Sequence, residues 1–408
     1  MHRVIAALFL AATVFGASAL PVTNTAASTA DQVVRFLEDR LQRDPDDFIA
    51  AGKLGHAYLQ QARENGTLDS YPKAERMFRL VLKWTPDSYP AGVALGSVLV
   101  SQHRFREAAA LSGKLTSEYP KEPPAHGVLG DALLEIGDLD GAAAAYAKLG
   151  ALAPGVSALT RVSRLEWMRG HVPAALTNLT LALQFSNSPA ETLAWTRVQR
   201  GGLYFRTGRL GEAEQDYTNA LREFPNYFLA LDHLAELRAT QGRYDEAVPM
   251  FEALAQRTGR PEYLQAVGDV LTAARRIDEA KPWHDRALAA YLRETGAGNV
   301  HYFHHLASFY ADVREDGTES EKWARRDLEV RQNTYAWDAL GWALFWKKDY
   351  AAAETAVRHA LVAGTKDAHL FAHASVIMVS AKKITEGRRL MKQAEEANPQ
   401  FQSFHVHR

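Results

Sequence analysis

The chain has 408 residues, 47% of them hydrophobic and 23% charged, a composition that is ordinary for a folded protein and excludes wholesale disorder. Lys and Arg number 47 against 48 Asp and Glu, so no global positive field exists to hold a polyanion, and we expect no nucleic-acid partner. The absence of cysteine excludes disulfides, thiolate metal sites and thiol catalysis.

The first predicted element is a secretory signal peptide at residues 1–19. A single basic residue, Arg3, precedes an uncharged apolar run over residues 4–15, and small residues lead up to Ala19. The run is too short to cross a bilayer comfortably, because a spanning helix needs about 20 apolar residues. We therefore expect cleavage after Ala19, a flexible tether at residues 20–30 and an exported protein, periplasmic or secreted. An uncleaved amino-terminal anchor is the alternative.

A small residue, usually preceded by an apolar one, recurs along the rest of the chain. It stands at Gly55, Gly96, Gly130, Ser163, Gly201, Ala235, Gly268, Ala307, Gly341 and Ser375. The spacings are 41, 34, 33, 38, 34, 33, 39, 34 and 34, so the commonest period is 34 residues. A fixed period of this length is typical of a repeat protein.

Each unit of this period predicts two helices. Apolar residues lie three and four apart in both halves, and turn signals such as Gly137-Asp138 separate the halves. Alanine often follows the small residue at a distance of twelve, as at Ala142, which allows the two helices of a unit to approach closely. Proline follows four of the small residues at a distance of twenty-four, as at Pro120, and ends the second helix.

These residues resemble the tetratricopeptide repeat family, in which helix-turn-helix units of 34 residues stack into a right-handed superhelix. The resemblance covers about residues 33–401 and implies an all-α, right-handed superhelical solenoid of about ten repeats, stabilised by burial between neighbouring repeats. With the predicted leader, the chain looks like an exported, bacterial-type member of the family. We expect a capping helix at about 31–44, a tail at 402–408, and repeats at about 46–87, 89–121, 123–155, 156–187, 190–226, 228–260, 261–293, 299–333, 334–366 and 368–400.

The sequence predicts no catalytic residue, cofactor or metal site. It contains no phosphate-binding loop, no HExxH and no GxSxG motif. The histidines are the best candidates for metal ligands, since His369 and His373 are four residues apart and share a helix face. A third ligand could come from His359 on the preceding helix or from the tail, at His405 or His407, and His301, His304 and His305 share another short stretch. Two ligands do not make a strong site, so we expect ordinary polar or groove-lining histidines.

The resemblance implies a concave groove lined by the stripe beside the buried face of each first helix, where extended peptides or partner helices bind. From the amino-terminal side this stripe is basic and aromatic, then acidic, then aromatic. Its residues are Arg164, Trp167, Trp195, Phe205, Arg206, Asp232, Glu236, Glu262, Asp269, His301, His304, Tyr335, Asp338, Trp342, Phe345 and Trp346. Arginine and aromatic residues commonly anchor interfaces, although Trp167, Trp342 and Trp346 are equally suited to packing against a neighbouring repeat.

Three functions remain open at this point. The favoured one is a non-enzymatic scaffold that binds an extended peptide or a partner helix in its groove. The alternative is an envelope carbohydrate-binding module, because sugar faces stack on tryptophan. A metal-dependent enzyme built on the carboxy-terminal histidines is the least favoured.

Overall fold

The computed structural model describes residues 29–185 and 187–403, and these residues form 21 α-helices, one short 3-10 helix and no β-strand. The helices are α1 Thr29–Arg43, α2 Phe48–Asn65, α3 Ser70–Trp84, α4 Tyr89–Ser101, α5 Phe105–Glu118, α6 Pro123–Glu135, α7 Leu139–Leu152, α8 Val156–Met168, α9 Val172–Ala182, α10 Ala190–Arg206, α11 Leu210–Glu223, α12 Phe228–Thr240, α13 Tyr244–Thr258, α14 Pro261–Ala273, α15 Ile277–Gly296, α16 Phe303–Asp312, α17 Gly317–Val330, α18 Thr334–Trp346, α19 Tyr350–Leu361, α20 Ala368–Ser380 and α21 Ile384–Ala397, with the 3-10 turn at Val300–Tyr302.

The prediction of an all-helical repeat solenoid is confirmed. Ten helix pairs, from α2 and α3 to α20 and α21, follow the first helix, and the first helices of successive pairs also contact one another, as α4, α6 and α8 do. The predicted leader, residues 20–28 of the tether and residues 404–408 of the tail lie outside the described residues. In the described part of the chain, no helix combines the length and apolar character needed to cross a membrane.

The three departures from the 34-residue period coincide with the longest helices. α2 has 18 residues, α10 has 17 and α15 has 20, whereas most of the others have 13 to 15. The extra residues therefore add helical turns where the repeats deviate, instead of long irregular loops. The widest deviation on the carboxy-terminal side lies at α15, where the chain then passes through the 3-10 turn before α16 begins.

Side-chain caps fix where several helices begin. Asp138 accepts a hydrogen bond from the backbone N–H of Gly141 at the start of α7, and Asp349 does the same for Ala352 at the start of α19. A cap of this kind pairs an amide that the helix itself leaves unpaired and places a negative charge near the positive end of the helix dipole. In these two repeats, the aspartate thereby fixes the turn between the two helices.

Within a repeat, a glycine of the first helix lies under a ring of the second helix. A Cβ added at Gly130 would lie 2.3 Å from the Tyr146 ring, one at Gly201 would lie 2.5 Å from Tyr217, and one at Gly268 would lie 2.3 Å from His284. In these three repeats, the ring sixteen residues after the glycine is therefore the partner of that glycine. This contact explains why the recurrent position excludes large side chains.

The repeats also contact one another across a full turn of the superhelix. We call α1–α11 the first coil and α12–α21 the second coil. Within the described residues, five hydrogen bonds join the coils between residues 193 to 198 apart in the chain. They run from Arg257 to the Glu64 carbonyl, between His301 and His103, from the Gln332 backbone N–H to the Glu135 carbonyl, from Asn333 to the Glu135 carboxylate, and from Thr365 to the Met168 carbonyl. This separation is about 5.7 repeats of 34 residues, so one superhelical turn contains slightly fewer than six repeats.

Two glycines allow this close contact between the coils. Gly137 and Gly170 lie in the turns inside repeats of the first coil, with φ values of +88° and +76°. A Cβ at Gly137 would lie 2.6 Å from the Gln332 carbonyl oxygen, and one at Gly170 would lie 2.1 Å from the Gly364 carbonyl oxygen. The expectation that each repeat is stabilised only by its neighbours is therefore incomplete, because inter-coil contacts add to it.

Candidate binding cleft

Two cavities lie along the first helices of the repeats. The larger, which we call the cleft, has a volume of about 960 Å³ and is lined mainly by α6, α8, α10 and α12, with Asn333 and Tyr335 from the second coil. The smaller, which we call the C-terminal cavity, has a volume of about 210 Å³ and is lined mainly by α16, α18 and α20. Arg206 and Tyr335 line both and therefore mark the boundary between them.

Arg206 is held between two aromatic rings. Its guanidinium carbon lies 5.8 Å from the centre of the Trp167 ring and 5.9 Å from that of Tyr335. The Tyr335 hydroxyl accepts hydrogen bonds from Arg206 Nη1 at 3.2 Å and from Trp167 Nε1 at 2.8 Å. Burial raises the pKa of Tyr335 to about 12, so the hydroxyl is neutral at physiological pH. The rings fix the position of the guanidinium and favour its charge.

Other arginines of the cleft are neutralised by carboxylates. Arg164 forms an ion pair with the buried Glu135, and Arg161 forms one with Asp131 at 2.9 Å. Within residues 29–185 and 187–403, Arg206 has no carboxylate at ion-pair distance, and Tyr335 is its one hydrogen-bond partner. A positive charge is therefore presented at the inner end of the cleft.

Carboxylates act on Arg206 at longer range. Burial lowers the pKa of Arg206, but the effects of Tyr335, Asp367 and Glu236 outweigh it, so the pKa is raised. The guanidinium is charged, and its remaining N–H groups are suited to a second acceptor such as a ligand carboxylate.

The C-terminal cavity is bounded by a stacked aromatic group. Trp342 stacks on His373 at 4.1 Å and on Phe345 at 4.9 Å, both with an interplanar angle of 8°, and its Nε1 donates to Asp312 at 2.8 Å. His373 Nδ1 lies 3.0 Å from Asp338 Oδ2. Burial lowers the pKa of His373, but Asp338 outweighs burial and the net pKa is raised. Trp342 is thus already stacked and hydrogen bonded within the protein.

Comparison with known protein families supports the interpretation of the repeats. Two tetratricopeptide repeat models match the chain, one over residues 93–157 and one over residues 204–270. Tetratricopeptide repeats are therefore identified within these two stretches of the chain. A solved structure described as a human IFIT1 dimer with PPP-AAAA is similar over 91% of this chain and 95% of that chain, with 12% sequence identity and a TM-score of 0.47.

The helical solenoid brings together about two thirds of the residues predicted for the groove. The cleft is lined by Arg164, Trp167, Trp195, Phe205, Arg206, Glu236 and Tyr335, and the C-terminal cavity by Arg206, His304, Tyr335, Asp338 and Trp342. The remaining predicted residues line neither cavity; they are Asp232, Glu262, Asp269, His301, Phe345 and Trp346.

The acidic middle of the predicted stripe is paired within the protein. Asp232 accepts a hydrogen bond from the Tyr263 hydroxyl at 3.4 Å, and Asp269 Oδ1 lies 2.9 Å from His284 Nε2. Glu262 forms an ion pair with Arg260. These carboxylates are therefore paired with side chains of their own or an adjacent repeat, and do not present a free acidic surface to a basic peptide.

The side-chain pairs between the first and the second coil were not predicted from the sequence. Glu135 accepts hydrogen bonds from Asn333 at 2.7 Å and pairs with Arg164, and Tyr335 reaches Trp167 across 168 residues of chain. Nothing in a 34-residue period specifies which repeat of the second coil meets which repeat of the first. Asp131 was detectable, because it follows the small residue Gly130 on the predicted stripe.

Proposed function

We propose that this tetratricopeptide protein is a non-enzymatic interaction scaffold, and that its cleft binds an extended segment of a partner polypeptide through a carboxylate placed on Arg206. The observation that carries the proposal is the guanidinium of Arg206, which is held between two rings and lacks a carboxylate partner among the described residues. Tetratricopeptide repeats generally serve as binding surfaces, which supports the class of function by analogy.

The shape of the cleft fits a short segment of polypeptide. A volume of about 960 Å³ lies in the range of pockets that enclose most of a ligand of a few residues. Trp195 lines the cleft as a half-buried ring, and the buried Trp167 lies against Arg206. Since an arginine pairs strongly with a carboxylate, a segment that carries Asp or Glu beside an apolar side chain satisfies both features.

The test is a selection of peptides from a random display library on the purified protein, followed by affinity measurement with synthetic peptides. We expect the selected peptides to share an acidic residue beside an apolar or aromatic one. Arg206→Gln should weaken their binding about tenfold or more, because a buried charge-assisted pair contributes about 1.5–3 kcal/mol. Ligand binding should also change the fluorescence of Trp167 and Trp195, which line the cleft.

Arg209→Gln is the matched control for this experiment. Arg209 lies in the turn after α10, is exposed and pairs with Glu212 at 2.8 Å, so it is close to Arg206 in sequence but does not line the cleft. Its substitution should leave peptide affinity unchanged. Equal affinities for wild type and Arg206→Gln, at equal melting temperature, would refute the assignment of the cleft.

We also propose that the protein is exported, on the support of the leader pattern at residues 1–19. Expression in a bacterial host with an export system should then yield a periplasmic or secreted product whose amino terminus is Leu20. Intact-mass measurement of that product checks this. A product retained in the cytoplasm that still begins at Met1 would be inconsistent with export.

A further inference from the structure

We propose that Glu262, His301 and His305 form a binding site for a divalent transition metal, for which Zn²⁺ is the best match. Within the part of the chain that the structure describes, they are the one set of three possible ligands whose donor atoms all lie within 4.8 Å of one another. Two imidazole nitrogens and one carboxylate oxygen are a donor set that zinc accepts, with water as the fourth ligand. This site is separate from the cleft, so it stands independently of the proposed function.

The three side chains come from two successive repeats. Glu262 lies in the first turn of α14, where Pro261 begins the helix. His301 lies in the 3-10 turn and His305 lies four residues later in α16, so both project from the same side of the chain. Asn299 fixes the start of this segment, because its side chain accepts a hydrogen bond from the backbone N–H of His301 at 3.1 Å.

Two of these three residues each have a buried side-chain atom without a hydrogen-bond partner in the described part of the chain. Glu262 Oε2 and His301 Nε2 have no hydrogen-bond partner within the described residues. A buried polar atom without a partner costs about 1–3 kcal/mol, so native structures rarely leave two of them side by side. A cation placed between these atoms and His305 would satisfy both.

His103 of the first coil holds His301 in a suitable orientation. Its Nε2 lies 3.1 Å from His301 Nδ1. In the tautomer that carries the proton on Nδ1, His301 donates to His103 and keeps the lone pair of Nε2 available for a metal. A second residue that accepts the other N–H of a ligating histidine is common at metal sites.

The charge of Glu262 is also suitable. Burial raises the pKa of Glu262, but Arg260, His305 and His301 outweigh it and bring the pKa to about 2. The carboxylate is therefore ionised, with Oε1 bonded to Arg260 Nε at 2.5 Å and Oε2 left for a cation. Because the charge of Arg260 repels a cation, we expect weaker binding than at a site without a neighbouring arginine.

The distances require a small adjustment on binding. Tetrahedral zinc with bonds of about 2.0–2.2 Å separates its ligand atoms by roughly 3.3–3.6 Å. Donor atoms within 4.8 Å of one another reach that separation by small side-chain rotations. The metal would then join α14 to α16 beside the 20-residue α15, where the repeat period is broken, and through His103 it would reinforce the contact between the coils.

The experiment is a calorimetric titration of the untagged protein with ZnCl₂ after treatment with a chelator, paired with thermal melting. All proteins carry His405→Gln and His407→Gln, so that the tail histidines do not contribute. We expect one equivalent of Zn²⁺ to bind and to raise the melting temperature by a few degrees. His305→Gln should weaken binding at least tenfold and remove the zinc-dependent rise.

His171→Gln is the matched control, since His171 is exposed and pairs with Glu166 at 2.6 Å, and it should bind zinc as wild type does. Glu262→Gln is a second variant, but it also removes the partner of Arg260 and is interpretable only if its helical circular dichroism is retained. The proposal would be overturned if the protein that carries only the two tail substitutions showed no saturable zinc binding, or if the His305→Gln variant bound zinc equally well.

Discussion

Replacing Gly170 by alanine is expected to destabilise the protein by about 2–4 kcal/mol and to loosen the contact between the two coils. Gly170 has a φ of +76°, which costs an alanine about 1–2 kcal/mol. The added Cβ would also lie 2.1 Å from the backbone carbonyl oxygen of Gly364, which cannot move away as a flexible side chain can. The coils must therefore separate locally, and overpacking of this kind costs about 1–3 kcal/mol more.

Gly242→Ala separates the two effects. Gly242 occupies the same kind of turn within a repeat and has a φ of +74°, but a Cβ there meets nothing within 4 Å. It should show the cost of the backbone conformation alone. Urea unfolding gives the difference, and hydrogen exchange of peptides around Thr365, whose hydroxyl donates to the Met168 carbonyl at 2.6 Å, reports on the inter-coil contact. Equal losses in both variants would mean that the coils do not touch in solution.

The contact between coils marks the limit of what the sequence predicts here. The 34-residue period predicts each repeat, because every repeat contains its own small residue, its own pair of amphipathic helices and its own turn. The pitch of the superhelix is not set within any single repeat, because it is the sum of the small rotations between all the repeats of one turn. A change in the angle between two neighbouring repeats, as at α15, therefore alters which repeat of the second coil contacts a given repeat of the first coil.

The candidate sites were predictable from the sequence only in part, for the same reason. Arg206 was predicted as a groove residue from its place beside the buried stripe of α10. Its guanidinium is held in place by Tyr335, however, and Tyr335 belongs to the second coil. His301 and His305 were visible in the sequence as neighbours, whereas Glu262 belongs to the preceding repeat. Residues from one helix are thus predictable as a set, and residues from separate helices are not.

The effect on stability of replacing the recurrent small residue of a repeat should therefore be predictable from the sequence. Gly130→Ala is expected to destabilise the protein by about 1–3 kcal/mol, since the new Cβ would lie 2.3 Å from the ring of Tyr146. Tyr146 cannot swing away, because it is buried and its hydroxyl donates to Asp131 at 2.9 Å. Overpacking thus outweighs the gain of about 1 kcal/mol that alanine brings to a helix interior.

Gly113→Ala is expected to have the opposite sign. Gly113 also lies inside a helix, α5, but a Cβ there meets nothing within 4 Å, so only the helical preference of alanine remains and stability should rise by up to about 1 kcal/mol. Tyr146→Leu should relieve the clash in a Gly130→Ala background, because repeat 4 already pairs Ser163 with Leu179 at these positions. Chemical denaturation of the two single variants and the double variant gives the coupling energy directly. Additive losses would show that the ring and the glycine do not pack together as described.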